Sequence, residues 1–188
     1  MRGPGAGTVR IVAGTMRGRR LRVPARGEVR PTSEMVREAL FDALGPVTGM
    51  RVLDLFAGTG ALGLEALSRG ARDCTFVEDD RAVGSSLRGN IAALGYGNVC
   101  RVLIADYRRA VDTLMRSDKP FDLLFVDPPY RILAEVEETL TPLVSCLLSS
   151  GGVMVIEGPR AMAVTFGRSV IFGREYGDTR ITMVRQKE

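Results

Sequence analysis

The stretch that decides the fold is Asp54-Leu55-Phe56-Ala57-Gly58-Thr59-Gly60-Ala61-Leu62-Gly63. It joins an apolar run at residues 52–56 to a helix-length stretch near residues 60–69, and it contains the spacing G-x-G-x-x-G. Such a turn is typical of doubly wound α/β sheets, where its glycines let the backbone approach a bound cofactor. Because the chain has 22 glycines in 188 residues, the spacing alone is weak, and a tight turn without a ligand is the alternative.

Working outward, short apolar runs alternate with helix-length stretches. The runs lie at residues 52–56, 74–77, 102–104, 123–126 and 153–156, and the helices are predicted near 60–69, 80–94, 107–116 and 132–148. This alternation predicts a doubly wound, mostly parallel sheet with helices on both faces. Residues 169–172 and 180–184 add a terminal hairpin without an intervening helix, and they predict an antiparallel strand that closes the sheet.

The N-terminal part has a different pattern. Residues 9–13 and 19–23 predict a small β-hairpin around Gly14–Gly18, and a helix is predicted near residues 33–44. We therefore divide the chain into a tail at 1–8, which we expect to be disordered, a hairpin and helix at 9–45, and a catalytic domain at 46–188.

Composition excludes several classes of protein. The chain is 45% hydrophobic, contains no histidine, and has three cysteines at Cys74, Cys100 and Cys146. Catalytic triads with histidine and histidine-ligated metals are excluded, and the cysteines form neither a zinc spacing nor a disulfide framework. The scattered cysteines favour a reducing cytoplasm. With no long apolar segment and no signal peptide, we expect no membrane contact, and we also expect a monomer without a metal.

Charge is concentrated at the N-terminus. Residues 1–30 hold eight arginines against the single acid Glu28, although the whole chain carries only +4. Arginine binds phosphate through a bidentate fork, so this arm predicts a nucleic-acid partner, with a solvated basic tail as the alternative. The candidate RNA contacts are Arg10, Arg17, Arg19, Arg20, Arg30 and Thr32.

Acidic residues follow the predicted strands. Glu78 ends the second strand, where a carboxylate can accept hydrogen bonds from both hydroxyls of a ribose. The turn fits either a dinucleotide or S-adenosylmethionine (SAM), and Asp54 favours SAM because the methionine ammonium needs an anion nearby. Asp106 after the third strand is a candidate acceptor for the adenine amine, or simply the N-cap of the next helix. We place Asp79 near the adenosine and expect Asp80 to cap a helix.

The segment Asp127-Pro128-Pro129-Tyr130 directly follows the apolar strand 123–126. An exocyclic base amine is a poor nucleophile, because its lone pair is delocalised into the ring. The Asp127 carboxylate and the Pro128 carbonyl can each accept one amine hydrogen, and the two prolines stiffen the loop. Tyr130 offers a ring on which a flipped base can stack. A rigid strand-exit turn is the alternative.

These segments resemble the class I SAM-dependent methyltransferases, and more narrowly the RsmD family of bacterial 16S rRNA guanine-N2 methyltransferases. The matching motifs lie at residues 10–21, Arg30-Pro31-Thr32, 36–41, 54–70, Glu78, 127–130 and Tyr176-Gly177-Asp178-Thr179. The arginine-proline-threonine element and the hairpin are specific to this family, whereas the other motifs occur in many amino-methyltransferases. Eight extra N-terminal residues are the main departure.

The resemblance implies a Rossmann-like fold, SAM as methyl donor, and transfer to the N2 amine of a guanine in small-subunit rRNA or an assembling 30S particle. It implies Asp127, Pro128, Pro129 and Tyr130 at the base. It implies a cofactor site formed by Asp54, Phe56, Ala57, Gly58, Gly60, Glu78, Asp79, Asp106 and Tyr107.

Three alternatives use the same residues differently. A DNA amino-methyltransferase, acting on adenine N6 or cytosine N4, usually adds a target-recognition region for which 188 residues leave no room. A protein glutamine N5-methyltransferase usually has asparagine in place of Asp127 and does not need the basic arm. A non-enzymatic RNA-binding module does not need Asp54 and Glu78 beside a glycine loop.

Overall fold

A computed structural model describes residues 9–23, 34–117 and 119–187, which form two sheets and six α-helices. The elements in chain order are β1 (Val9–Arg10), β2 (Arg20–Leu21), α1 (Glu34–Leu44), β3 (Arg51–Asp54), α2 (Ala61–Ser68), β4 (Asp73–Glu78), α3 (Arg81–Leu94), β5 (Cys100–Ile104), α4 (Tyr107–Ser117), β6 (Phe121–Val126), α5 (Leu133–Leu140), α6 (Val144–Leu147), β7 (Leu148–Pro159), β8 (Ser169–Tyr176) and β9 (Thr179–Arg185). The predicted tail 1–8, Arg30 and Thr32 lie outside the described residues. None of the helices in the described ranges is long and apolar enough to cross a membrane.

The main sheet has seven strands in the order β5-β4-β3-β6-β7-β9-β8. Strands β3 to β7 are parallel, and β9 runs antiparallel between β7 and β8. The prediction of a doubly wound α/β sheet with an antiparallel end is confirmed. The strand order reverses between β3 and β6, and in such sheets ligands bind beyond the carboxyl ends of the strands at this switch point.

Two apolar cores cover the two faces of the sheet. One core packs α1, α2, α3 and the N-terminal hairpin against the sheet, and the other packs α4, α5 and α6. Val9, Ile11 and Leu21 of the hairpin are buried in the first core, so the hairpin is packed onto the sheet rather than separate from it. The boundary that we predict between residues 45 and 46 stays a prediction.

A buried carboxylate attaches the hairpin to α2. Glu65 accepts hydrogen bonds from the backbone N–H groups of Val12 at 2.7 Å and Ala13 at 2.9 Å. Ile11 still exchanges hydrogen bonds with Arg19 and Gly18 across the hairpin, but the Ala13 N–H is bound to Glu65, and β1 is shorter than the predicted strand 9–13. Leu21 is buried while Arg20 and Arg22 are exposed, as the alternation of side chains predicts.

The predicted helix at 132–148 is wrong as a single element. It divides into α5 and α6, with a turn at residues 141–143. Pro142 explains the break, because proline has no N–H to donate to the carbonyl four residues earlier and its ring crowds the preceding turn. The terminal hairpin is also longer than predicted, and β8 forms the outer edge of the sheet.

Two glycines in the hairpin turn have the same backbone angle but different surroundings, so their substitution distinguishes the cost of steric contact from that of backbone strain. Gly14 and Gly18 both have φ of +80°, but a Cβ on Gly14 would lie 1.8 Å from the Ser68 carbonyl oxygen, whereas one on Gly18 would meet nothing. We expect Gly18→Ala to lower the free energy of unfolding by about 1–2 kcal/mol, the cost of the left-handed backbone. Gly14→Ala must also displace the hairpin from α2, so its loss should be at least about 2 kcal/mol larger. Urea denaturation measures both, and equal losses would contradict the close packing of the hairpin turn on α2.

Candidate active site

The carboxyl ends of β3, β4, β5 and β6 form one edge of the sheet, which we call the carboxyl edge. The glycine turn follows β3, and Asp127 lies just beyond β6, with which β3 pairs directly at the switch point. Glu78 ends β4 and Asp106 follows β5 at the same edge. The structure therefore brings together the acidic and glycine motifs that were predicted separately along the chain.

Asp54 binds the first turn of α2 through a hydrogen bond. Its side chain is 2% exposed, and its Oδ2 accepts a hydrogen bond from the Gly63 N–H at 3.0 Å. Gly60 turns the chain into α2 with φ of +82°, and a Cβ there would lie 2.4 Å from Leu87. The Asp54 side chain makes no other hydrogen bond to a described residue, which leaves its second oxygen for a ligand. Burial raises the pKa of Asp54 to about 7, and the charge of nearby Glu78 adds to the effect.

Glu78 joins the glycine turn to the start of α3. Its Oε2 accepts from the Gly58 N–H at 2.8 Å, and its Oε1 accepts from the Asp80 N–H at 3.0 Å. Burial is the main reason that its pKa is raised, and Asp79 beside it raises the pKa further. A carboxylate has about four acceptor positions, so these two backbone bonds leave acceptor capacity for a ligand. Asp80 caps α3 through Ala82 and Val83, which confirms its predicted capping role.

Phe56 and Tyr107 lie side by side at the carboxyl edge, with ring centroids 5.3 Å apart. Tyr107 is buried, and its hydroxyl donates to Oε1 of Glu135 at 3.3 Å. Asp106 caps α4, because its Oδ1 accepts from the Arg108 N–H at 2.9 Å, and its Oδ2 pairs with the Arg108 side chain. The helix-capping interpretation of Asp106 is thus correct, and its role toward an adenine stays a prediction.

The loop after β6 is rigid and carries an exposed ring. Pro128 is buried, and the Pro129 carbonyl accepts from the Ile132 N–H at 3.0 Å to start a short 3-10 helix. Tyr130 is 38% exposed, and its hydroxyl lies 2.8 Å from Oγ1 of Thr179. This contact explains why the motif at residues 176–179, which had no predicted role, accompanies the loop: its turn places Thr179 against Tyr130.

The carboxyl edge is strongly acidic. Burial raises the pKa of Asp127 well above its ordinary value, and the charges of Glu157 and Asp54 raise it further. Four carboxyl groups thus lie near one another, those of Asp54, Glu78, Asp127 and Glu157. A positively charged ligand would reduce the repulsion between them. A site built this way favours a cationic ligand and disfavours a pyrophosphate.

Some of the arginines predicted to contact RNA are bound to other groups of the protein, and others are not. Arg10 forms a bidentate pair with Glu34, with Nε 2.9 Å from Oε1, so its charge is already matched. Arg19 donates to the Ala93 carbonyl at 3.0 Å. In the predicted cofactor turn, by contrast, the Ala57 N–H donates to the Val77 carbonyl at 2.9 Å. The side chains of Arg17 and Arg20 are exposed and bond to no other described residue.

Asn90 is a buried site residue that the sequence analysis missed. Its Nδ2 donates to the Thr59 carbonyl in the glycine turn at 3.0 Å and to the Arg22 carbonyl at 3.1 Å, while its Oδ1 accepts from the Arg22 N–H at 2.8 Å. The side chain thereby links the cofactor turn to the arm. A signal existed in the sequence, because Asn90 is polar within the apolar stripe of Leu87, Ile91 and Leu94.

The raised pKa of Asp54 predicts a dependence of stability on pH. Because the folded state binds the proton more tightly than the unfolded chain, stability is lost as pH rises from 3.8 to about 7 and is constant above that. Asp54→Asn keeps an acceptor for the Gly63 N–H but does not titrate. We expect the variant to gain stability relative to the parent over that window, measured by urea denaturation between about pH 5 and about pH 8. A stability difference between the variant and the parent that does not change with pH would contradict the raised pKa of Asp54.

Comparison with known proteins gives consistent relatives. The profile of the family described as "Conserved hypothetical protein 95" matches residues 9–185. Ribosomal RNA small subunit methyltransferase D of Escherichia coli K12 is 46% identical over 140 residues, which is 74% of this chain and 68% of the relative. The corresponding Haemophilus influenzae protein is 41% identical over 133 residues, 69% of this chain and 68% of the relative.

A solved structure supports the same conclusion. A hypothetical protein of Thermus thermophilus superimposes with a TM-score of 0.81 at 35% identity, covering 94% of this chain and 98% of the other. The profile match spans the hairpin, the glycine turn, the loop at residues 127–130 and the terminal strands. This chain therefore belongs to the Conserved hypothetical protein 95 family, the RsmD family of rRNA methyltransferases.

Proposed function

We propose that this protein transfers a methyl group from SAM to the exocyclic N2 amine of a guanine in small-subunit rRNA. The observation that carries the cofactor assignment is the pair of carboxylates at the glycine segment. Glu78 accepts from the Gly58 N–H and Asp54 from the Gly63 N–H, and each keeps acceptor capacity for a ligand. SAM carries a sulfonium and an ammonium, whereas a dinucleotide would bring a pyrophosphate into this field. Small-subunit rRNA methyltransferases among the relatives support the acceptor.

The residues at the carboxyl edge fit SAM. Glu78 has acceptor positions left for the ribose hydroxyls, and the second Asp54 oxygen is left for the methionine ammonium. Asp79 and Asp106 would face the adenosine, and the neighbouring rings of Phe56 and Tyr107 would form an aromatic wall there. When bound, SAM supplies a methyl group on an already activated sulfonium, so the protein contributes mainly positioning and exclusion of water.

The loop at residues 127–130 orients the acceptor. Asp127 and the Pro128 carbonyl each accept one hydrogen of the guanine amine, which directs the lone pair of N2 toward the methyl carbon. Tyr130 stacks on the base, and its hydrogen bond to Thr179 holds the ring in place. In this transfer the bond between N2 and the methyl carbon would form as the bond between that carbon and the SAM sulfur breaks, which would leave neutral S-adenosylhomocysteine. The methylated N2 would then be cationic and would release one proton. Asp127, whose pKa is raised by burial, is suited to accept it.

The partner is rRNA or an assembling 30S particle, and the basic arm is its docking element. Arg17, Arg19 and Arg20 of the hairpin lie on the surface, where they can contact phosphates. Arg30 and Thr32 belong to the same proposed element by sequence. We place the enzyme in the cytoplasm, where ribosomal subunits assemble, and propose that it acts as a monomer.

Transfer of tritium from labelled SAM tests the reaction. We offer the enzyme protein-free small-subunit rRNA, 30S particles, duplex DNA and a protein mixture, and we expect label at guanine N2 in rRNA or the particle. Asp127→Ala should lower kcat by at least about 100-fold, the contribution of a positioned acid or base, while SAM affinity stays within a few-fold. Label confined to DNA or protein, or unchanged turnover in the variant, would overturn the proposal.

The role of Glu78 has its own test. Glu78→Gln weakens charge-assisted hydrogen bonds to the ribose, each worth roughly 1.5–3 kcal/mol, so the SAM dissociation constant should rise by at least about tenfold in calorimetry. Asp80→Asn is the matched control, because asparagine caps a helix as well as aspartate does and SAM affinity should not change. Measurable NAD binding by the parent protein would instead favour a dehydrogenase.

A further inference from the structure

The helix α3 runs the whole depth of the molecule. It begins at Arg81, three residues after Glu78 at the carboxyl edge, and ends at Leu94 near the opposite edge. Fourteen residues at a rise of 1.5 Å give it a length of about 21 Å. Any ligand that contacts both ends of α3 must therefore be large.

The turn of the basic hairpin lies at the far end of α3, away from the reacting atoms. Thr15 donates its N–H to the carbonyl of Ser68, the last residue of α2, and its hydroxyl lies 3.2 Å from the Tyr96 hydroxyl just beyond α3. Arg19 donates to the Ala93 carbonyl in the last turn of α3. Along the helix axis, Ala93 is about 18 Å from Arg81. An RNA held by this turn must cross that distance to place a guanine at Asp127.

The three helices on this face offer different surfaces to such an RNA. Helix α2 is buried from Leu62 to Ser68. Helix α1 exposes Glu38 and Asp42, which repel phosphate. Helix α3 carries no acidic residue, and its only charged side chains are Arg81 and Arg88, both exposed. Among the described residues, neither guanidinium has a hydrogen bond or an ion pair, so both charges are unmatched. Of the three helices, α3 is therefore the one whose own exposed charges are all positive.

We propose that Arg81, Ser85 and Arg88, which we call the α3 stripe, bind the phosphate backbone of substrate rRNA between the hairpin turn and the carboxyl edge. The three residues follow the spacing i, i+4, i+7, so they lie on one side of the helix. They line a groove of about 320 Å³ together with Ile104 of the edge strand β5. This inference rests on the proposed rRNA substrate and deepens it: the substrate is an extended, folded RNA rather than a short strand around the target.

The test replaces the two arginines and uses a matched pair as control. Arg81→Ala/Arg88→Ala is compared with Arg109→Ala/Arg116→Ala on α4, an exposed arginine pair with the same seven-residue spacing on the opposite face of the sheet. Methyl transfer to protein-free rRNA and to 30S particles is followed over a range of salt concentrations, and SAM affinity is measured by calorimetry. Thermal unfolding checks that both variants remain folded.

We expect the α3 variant to raise KM for RNA at least about fivefold, with kcat within about twofold and SAM affinity unchanged. Two lost phosphate contacts should flatten the plot of log K against log salt by about 1.4–1.8 units. The α4 variant should match the parent. An unchanged KM and slope in the α3 variant would overturn this proposal alone, provided the parent methylates RNA. If the parent transfers no methyl group to any RNA, the proposed function itself fails. A KM effect on 30S particles but not on protein-free rRNA would assign the stripe to a ribosomal protein and overturn the RNA assignment.

Discussion

The buried carboxylate of Glu65 is the contact on which the N-terminal half of the molecule depends. It is wholly enclosed, accepts from the N–H groups of Val12 and Ala13, and pairs with Arg69 at 2.9 Å. Removing one partner from such a buried charged group typically costs about 3–5 kcal/mol, because the remaining groups are left unsatisfied. Glu65 lies on the helix that starts at the glycine turn, so the same contact that holds the hairpin also fixes it relative to the proposed cofactor site.

A second set of polar contacts completes this connection. Asp54 ties the start of α2 to β3, and Asn90 bonds both the glycine turn and the chain leaving the hairpin. The hairpin, the glycine turn and the two helices thus form one unit, which holds the proposed RNA and cofactor sites in a fixed relation. The acids at the carboxyl edge are a separate feature of the site. Their enclosure disfavours the ionised state in the free protein, and a bound cation would favour that state again.

Much of the fold could be predicted because each of its local signals is strong. Strands β4 and β6 are apolar runs, and α3 has an apolar stripe with an aspartate cap and a glycine at its end. The errors occurred where a single residue outweighed a periodic pattern. Pro142 divides an otherwise continuous apolar stripe into α5 and α6, and Glu65 takes the Ala13 N–H that could have lengthened β1. A distant carboxylate leaves no trace in the pattern of the strand that it shortens.

The sequence by itself determined the order of strands and helices, the family, and the identity of the residues at the carboxyl edge, because spacing and residue type are local properties. Only the tertiary structure decided how those residues are used. It matched Arg10 with Glu34, assigned Asp106 to a helix cap, and placed Thr179 against Tyr130. It also put the hairpin turn at the far end of α3. Hydrogen-bond partners, burial and pKa depend on groups distant in the chain, and their meeting is settled only when the sheet assembles.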